Sequence, residues 1–274
     1  MSNLTIIIPV HEFNDVILEY LKKAVESVLK QEDITNKPNI LLVYGNDIEL
    51  NLLESINKDE VLKSSLQLLK NEGKTDYQSQ VNLASKNINT EYFSVLEFDD
   101  EYNTHFVKIA SEYINAYPEI DVFLTIMIEV NEKGEGVKFA NEVVWAQEFV
   151  GENGEIGYLN VDALKKYTDF KLSGAIIKTK EFIAVGGYKS NIKLTFMYEF
   201  LLRALNNMNK IYSIPKISYK HLMMRDGSLF DIFSKTMPID ERKFWFETAT
   251  KESNFPNDRI IDTTRLKKII VEEK

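Results

Sequence analysis

The chain has 274 residues, 44% of them hydrophobic and 27% charged, enough to bury a sizeable core in one domain of two intimate halves. A formal net charge of −9 argues against broad electrostatic binding to nucleic acid, and the absence of cysteine excludes disulfides, thiolate nucleophiles and cysteine-ligated zinc. No apolar stretch approaches the roughly 20 residues of a spanning helix, and no basic region precedes an apolar one at the amino terminus, so a soluble, cytoplasmic protein is expected.

Leu4 to Val10 is a continuous apolar run, the pattern of a strand buried on both faces of a parallel sheet. Ile17, Leu18, Leu21, Ala24, Val25, Val28 and Leu29 then recur at helical spacing, behind Asn14 or Asp15 as cap. Ile40 to Tyr44 reads as a second strand, Gly45-Asn46-Asp47 as a turn, and the stretch through Leu50, Leu53 and Ile56 as helical. Leu66 to Leu69 is a third, short strand, and a helix is expected over Tyr77 to Asn87. Tyr92 to Phe98 reads as a strand, Phe106 to Tyr117 as a helix stopped by Pro118, and Val122 to Val130 as another strand. Residues 131–160 have weak periodicity and read as loops and short strands; Trp145 among them is read as core. A further element begins at Ser173 to Ile177, Gly186-Gly187 marks a tight turn, Phe196 to Asn207 a helix, and Ile214 to Tyr219 a last strand. From Asp231 the tail is charged and amphipathic, with Phe230, Phe233, Phe244, Trp245 and Phe246 available to dock a helix on the body. Alternation of strand and helix predicts an α/β fold, a doubly wound, mostly parallel sheet flanked by helices.

The run Glu91-Tyr-Phe-Ser-Val-Leu-Glu-Phe-Asp-Asp-Glu-Tyr102 ends its apolar part in four carboxylates, Glu97, Asp99, Asp100 and Glu101. Open α/β sheets bind ligands at the carboxyl ends of their strands, where this cluster falls. In an extended strand Glu97 and Asp99 share a face, and two like charges so placed repel unless a cation lies between them or one takes a proton. Hard oxygen donors of this kind suit Mg²⁺ or Mn²⁺; the competing reading is a solvated acidic turn.

Several segments, taken in order, resemble the family 2 glycosyltransferases, inverting enzymes of GT-A fold that use nucleotide-diphosphate sugars. Thr5-Ile-Ile-Ile-Pro-Val-His-Glu12 resembles the opening strand and Tyr20-Leu-Lys-Lys-Ala-Val-Glu-Ser-Val-Leu-Lys-Gln31 the first helix. Asn71-Glu-Gly73 with Asn82 is similar to the Asn-x-Gly and Ala-Arg-Asn segment, and Leu96-Glu-Phe-Asp-Asp100 sits where the family places its Asp-x-Asp (DXD) motif. Leu172-Ser-Gly-Ala175, Phe182 and Val185-Gly-Gly-Tyr188 resemble the segment bordering the acceptor. The similarity covers roughly residues 4–228 and is carried by the joint order of weak motifs.

The resemblance implies a Rossmann-like nucleotide-sugar half over 1–118, an acceptor half over 119–228, and a helical tail over 229–274 packed on that domain. It implies Mn²⁺ or Mg²⁺ on Asp99 and Glu97, with His221 from Tyr219-Lys-His221 completing the shell. Pro9, His11 and Glu12 fall on the donor side, His11 replacing a tyrosine that lies against the base. Asp47 either takes the uracil-reading place, displaced along its turn, or is a turn residue. Asn82 belongs to the donor-side motif, Asp100 accepts a sugar or ribose hydroxyl or is solvated, and Arg225 or Lys220 neutralises phosphate.

A departure concerns the base. Aligned on Leu202-Arg203, the two usual acids become Phe196-Met197, which leaves Glu199 as the candidate base, with Asp169, Glu181 and Asp226 as alternatives. The expected function is metal-dependent, inverting transfer of a sugar from a nucleotide-diphosphate donor to a hydroxyl of a glycan, lipid-linked, protein or nucleobase acceptor. The rivals are an inactive nucleotide-sugar-binding module and a metal-dependent nucleotidyl or phosphoryl transferase. The last lacks support from any Walker-type Gly-rich loop.

Overall fold

The computed structural model describes residues 3–142, 157–166, 170–223, 225–251 and 263–266. In chain order the elements are β1 (Leu4–Val10), α1 (Asp15–Leu29), β2 (Asn39–Gly45), α2 (Glu49–Lys58), α3 (Glu60–Ser65), β3 (Leu66–Asn71) and α4 (Tyr77–Lys86). Next come β4 (Tyr92–Val95), β5 (Glu101–Tyr102), α5 (Phe106–Ala116), β6 (Val122–Val130), β7 (Gly136–Ala140), β8 (Gly157–Tyr158) and α6 (Val161–Lys166). Then follow β9 (Ile176–Lys178), α7 (Thr179–Ala184), α8 (Phe196–Asn206), β10 (Ile211–Leu222), α9 (Leu229–Thr236) and α10 (Ile239–Ala249). Trp145 and Asp169 lie outside the described residues.

Among the described residues ten strands form one sheet in the order β3-β2-β1-β4-β9-β6-β10-β5, with β7 added on β6 and β8 on β10. β3, β2, β1 and β4 run parallel, as do β6 and β10, while β9 joins the two groups antiparallel to both β4 and β6. One sheet therefore runs through the two halves expected from sequence. The continuous apolar run of β1 follows from burial on both faces: Ile6, Ile8 and Val10 join the core that includes α1, α2 and α5, whereas Ile7 joins the one that includes α4, α7 and α8. Each such side chain, 0% exposed, contributes about 1.5–3 kcal/mol. Pro9, also buried, has no N–H for a ladder; the pairing of β4 with β1 ends at Ile7↔Val95, and beyond it the Gln80 side chain donates to the Val10 carbonyl at 2.9 Å.

α1 begins where Asn14 accepts from the Ile17 N–H at 3.0 Å, and it presents Ile17, Leu21, Ala24, Val25 and Val28 to the core. After β10, Ser228 caps α9 by accepting from the Asp231 N–H at 3.1 Å. α10 buries Phe244 and Trp245 beside Ile192 and Met237, and Thr195 donates to the Trp245 carbonyl at 3.0 Å. No helix among the described residues is long and apolar enough to cross a membrane.

Two expectations need correction. The strand expected through Phe98 ends at Val95, because the Asp100 N–H turns back to the Glu97 carbonyl at 3.0 Å. The last strand is longer than Ile214 to Tyr219, running from Ile211 to Leu222 with two register shifts against β6, and its extension carries His221 to the sheet's carboxyl edge.

Candidate active site

The turn after β4 decides how the four acids are presented. With the strand over at Val95, the extended geometry that would set Glu97 and Asp99 on one face no longer applies. The turn instead brings Glu97 and Asp100 toward His221 at the end of β10, and one ligand atom from each of the three lies within 4.8 Å of the others. Asp100 is held from two sides: its Oδ1 accepts from the Leu222 N–H at 2.8 Å and its Oδ2 lies 2.9 Å from His221 Nδ1. Glu97 Oε1 accepts from the Ser173 hydroxyl at 2.5 Å, and the Glu97 N–H donates to the Tyr219 hydroxyl at 3.1 Å.

Burial, with Asp100 beside it, pushes the Glu97 carboxyl above the usual carboxylate range. Burial raises Asp100 as well, against the opposing pull of His221. Burial alone would push the His221 imidazole down, but the Asp100 carboxylate outweighs it and holds the ring up at about 9. Buried acids that resist ionisation, with an imidazole among them, are a donor set that a hard divalent cation would relieve. Two bonds of about 2.1 Å separate their ligand atoms by at most roughly 4.2 Å, so Glu97, Asp100 and His221, whose ligand atoms lie within 4.8 Å of one another, could close on such an ion with small side-chain movements.

Asp99 sits outside this cluster. Its Oδ2 accepts from Arg225 Nε at 2.7 Å, and Arg225 Nη2 donates to Glu12 Oε1 at 2.7 Å. Burial, and then Glu97, raise the Asp99 carboxyl despite that guanidinium. Arg225 also lies over the Phe98 ring, 5.3 Å from its centroid, and the His11 ring centroid is 5.4 Å from that of Phe98. His11 is lowered by burial, which outweighs Glu12 next to it, and its Nδ1 is buried without a hydrogen-bond partner among the described residues. His11, Glu12, Asp99 and Arg225 therefore form one group beside the acid turn. Lys220 pairs with Glu101 at 2.8 Å. Asp47 is exposed in the turn after β2.

Glu199 does not occupy the position a base needs. It is 0% exposed inside α8; Oε1 is 2.8 Å from Arg203 Nε and 3.2 Å from Lys189 Nζ, and Oε2 accepts from Arg203 Nη2 at 3.1 Å. The candidate base is thus corrected to a structural acid: both oxygens are held by buried cations, with no exposed atom to meet a hydroxyl. Arg203 in turn donates to the Val185 and Gly187 carbonyls, fixing the Gly186-Gly187 turn. Asn82 is committed to the same turn, accepting from the Tyr188 N–H at 2.8 Å and donating to the Tyr188 carbonyl at 2.7 Å. Gly187 has φ +64° and a Cβ there would come within 2.4 Å of Asn82 Oδ1, so glycine is required. Phe196 packs against Tyr77 and Tyr188, and Met197 joins the same core. Of the other acids weighed as base, Asp226 pairs with Lys235 at 2.8 Å and Glu181 lies 3.7 Å from Lys180.

Sequence reasoning missed two groups. Ser173 and Tyr219 hold Glu97, and their signal was the Ser-Gly pair within Leu172-Ser-Gly-Ala175. Glu129, in register with His221 across β6 and β10, accepts from Lys171 at 2.5 Å, and Asn141 brackets the Lys171 backbone with contacts of 2.8 and 2.9 Å.

The site thus consists of an acid turn and an imidazole at the carboxyl edge of a curled, mostly parallel sheet flanked by helices. The sequence pattern of glycosyl transferase family 2 matches residues 5–167, more than half of the chain, and the chain belongs to that family. Among solved structures, an S. aureus TarS fragment of residues 1–349 in complex with UDP-GlcNAc superposes with a TM-score of 0.61 at 15% identity, over 92% of this chain and 82% of that one. The same fragment with UDP gives 0.57 at 17% identity, over 90% and 79%. A mannosyltransferase from Pyrobaculum calidifontis in complex with GDP-Man and Mn²⁺ gives 0.57 at 12% identity, over 82% and 58%. No curated protein matches the chain in sequence.

Proposed function

We propose that this glycosyltransferase moves a sugar from a nucleotide-diphosphate donor to an acceptor hydroxyl with inversion, with a divalent cation, Mn²⁺ or Mg²⁺, held by Glu97, Asp100 and His221. The observation that carries the reading is the convergence of those three side chains at the sheet's carboxyl edge, beside Arg225. The cation would supply positive charge for the diphosphate as it leaves. Arg225, oriented by Asp99 and Glu12, faces the same diphosphate with its guanidinium fork. His11, desolvated against Phe98 with an unpartnered Nδ1, lines the nucleoside side, and its buried nitrogen meets a polar edge of the base. Pro9, one residue before the end of β1, and Asp47, in the turn after β2 next to it in the sheet, fall on the donor side. An in-line attack needs an oxygen to take the acceptor's proton, and with Glu199 locked that oxygen comes from outside α8.

Solved neighbours hold UDP, UDP-GlcNAc and GDP-Man, which makes uridine and guanosine donors the first to test. Calorimetry of UDP and GDP, with and without Mn²⁺, beside hydrolysis of the matching sugar donors, tests the proposal. Metal-dependent nucleotide binding that Asp100→Asn abolishes is the expected result. Nucleotide binding that is indifferent to metal would refute the cation assignment.

A further inference from the structure

Glu97 brings a longer arm to the acid turn than an aspartate would, and that arm has more rotamer freedom to lose before it can serve as a ligand. One contact holds its backbone and a second holds its carboxylate. The Glu97 N–H donates to the Tyr219 hydroxyl at 3.1 Å, and the Ser173 hydroxyl donates to Oε1 at 2.5 Å. Ser173 is itself set by its neighbour: the Gly174 N–H donates to the Val95 carbonyl at 3.0 Å, next to the acid turn. Gly174 has φ +71° and lies flat on the Tyr219 ring, where a Cβ would come within 2.3 Å of Cδ2. Ser173 is 5% exposed and Tyr219 1% exposed, so water does not compete for these contacts. Tyr219 stands two residues before His221 on β10, so one strand carries the imidazole and steadies the backbone of its acidic partner.

We propose that Ser173 is a positioning residue for Glu97, and that the two work as a matched pair. The hydroxyl holds one carboxylate oxygen so that the other is presented to the cation, which lets a glutamate act where a shorter acid would need no such support. Gly174 and Tyr219 are the seat on which Ser173 rests. This inference rests on the reading of Glu97, Asp100 and His221 as a divalent-cation site.

The test measures Mn²⁺ affinity of the full chain without donor, from the electron paramagnetic resonance signal of free Mn²⁺, for wild type, Ser173→Ala, Ser173→Thr, Glu97→Asp and the Ser173→Ala/Glu97→Asp double variant. Ser173→Ala should weaken Mn²⁺ binding by about 10–100-fold, the usual cost of losing a partner that orients a ligand, while the metal-free protein stays folded with a melting temperature lowered only as the loss of one buried hydrogen bond requires. Ser173→Thr, which keeps the hydroxyl, should restore most of that affinity. Glu97→Asp shortens the arm out of the hydroxyl's reach, so adding Ser173→Ala to it should cost nothing further. Wild-type affinity in Ser173→Ala, or an equal loss from Ser173→Ala in both backgrounds, overturns the pairing. Failure of the wild-type chain to bind Mn²⁺ would overturn the cation site itself, a result separate from either.

Discussion

Glu199→Gln separates a structural acid from a catalytic one. The substitution removes one charge from a network in which Arg203 is 0% and Lys189 7% exposed, and it leaves Arg203 as a buried cation without its carboxylate. Removing one partner of a buried pair costs about 3–5 kcal/mol. At about 2–4 °C per kcal/mol for a chain somewhat shorter than this one, the melting temperature should fall by about 6–20 °C. The Gly186-Gly187 turn should loosen as well, because Arg203 also ties down its carbonyls. Calorimetric unfolding gives the stability change, and sugar transfer assayed well below the lowered transition should retain most of its kcat. Glu54→Gln is the control: its pair with Lys58 is exposed, so the melting temperature should stay where it was. A variant with wild-type stability and transfer reduced by three orders of magnitude would refute the structural role and return Glu199 to the chemistry.

Asp100→Asn should lower Mn²⁺ affinity more than Asp99→Asn does, as read by calorimetry, since only Asp100 belongs to the cluster with His221. Arg225→Ala should weaken UDP or GDP binding by about 1.5–3 kcal/mol, the worth of hydrogen bonds to a charged group; unchanged affinity would remove Arg225 from the donor site. His221 titrates near 6.5 when unfolded and at about 9 in the fold, so its proton stabilises the fold fully below about 6.5, and that contribution fades as pH rises through about 9. The melting temperature of metal-free protein should therefore fall across that window, and His221→Gln should flatten the fall.

The strands and helices of the first half were legible because their pattern is local. β1 is buried at every position and apolar at all but Thr5 because both faces are covered, and α1 shows its stripe and its Asn14 cap directly in the sequence. The acid turn was legible as a cluster but not as a geometry. Which carboxylates meet depends on whether the strand stops at Val95 or continues to Phe98, and that is settled by a single hydrogen bond from Asp100 back to Glu97. The sequence set His221 beside Asp99 and Glu97, whereas the fold sets it beside Asp100 and Glu97, because that choice depends on register between segments about 120 residues apart. Glu199 misled for a related reason. A carboxylate two residues from an expected base looks available until Arg203, one helical turn on, and Lys189 are seen to enclose it. Ser173 carried no chemical signature of its own; only the glycine after it hinted that the chain must pass close to something.

Asp100 leans on Leu222 through a main-chain N–H. Every amino acid except proline supplies that group, so position 222 can change its side chain freely and the carboxylate keeps its anchor. The other anchor, His221, has no such tolerance. Of the two supports beneath one acid, mutation can remove one at a stroke and can scarcely touch the other, so sequence drift at this edge should be wide at 222 and narrow at 221.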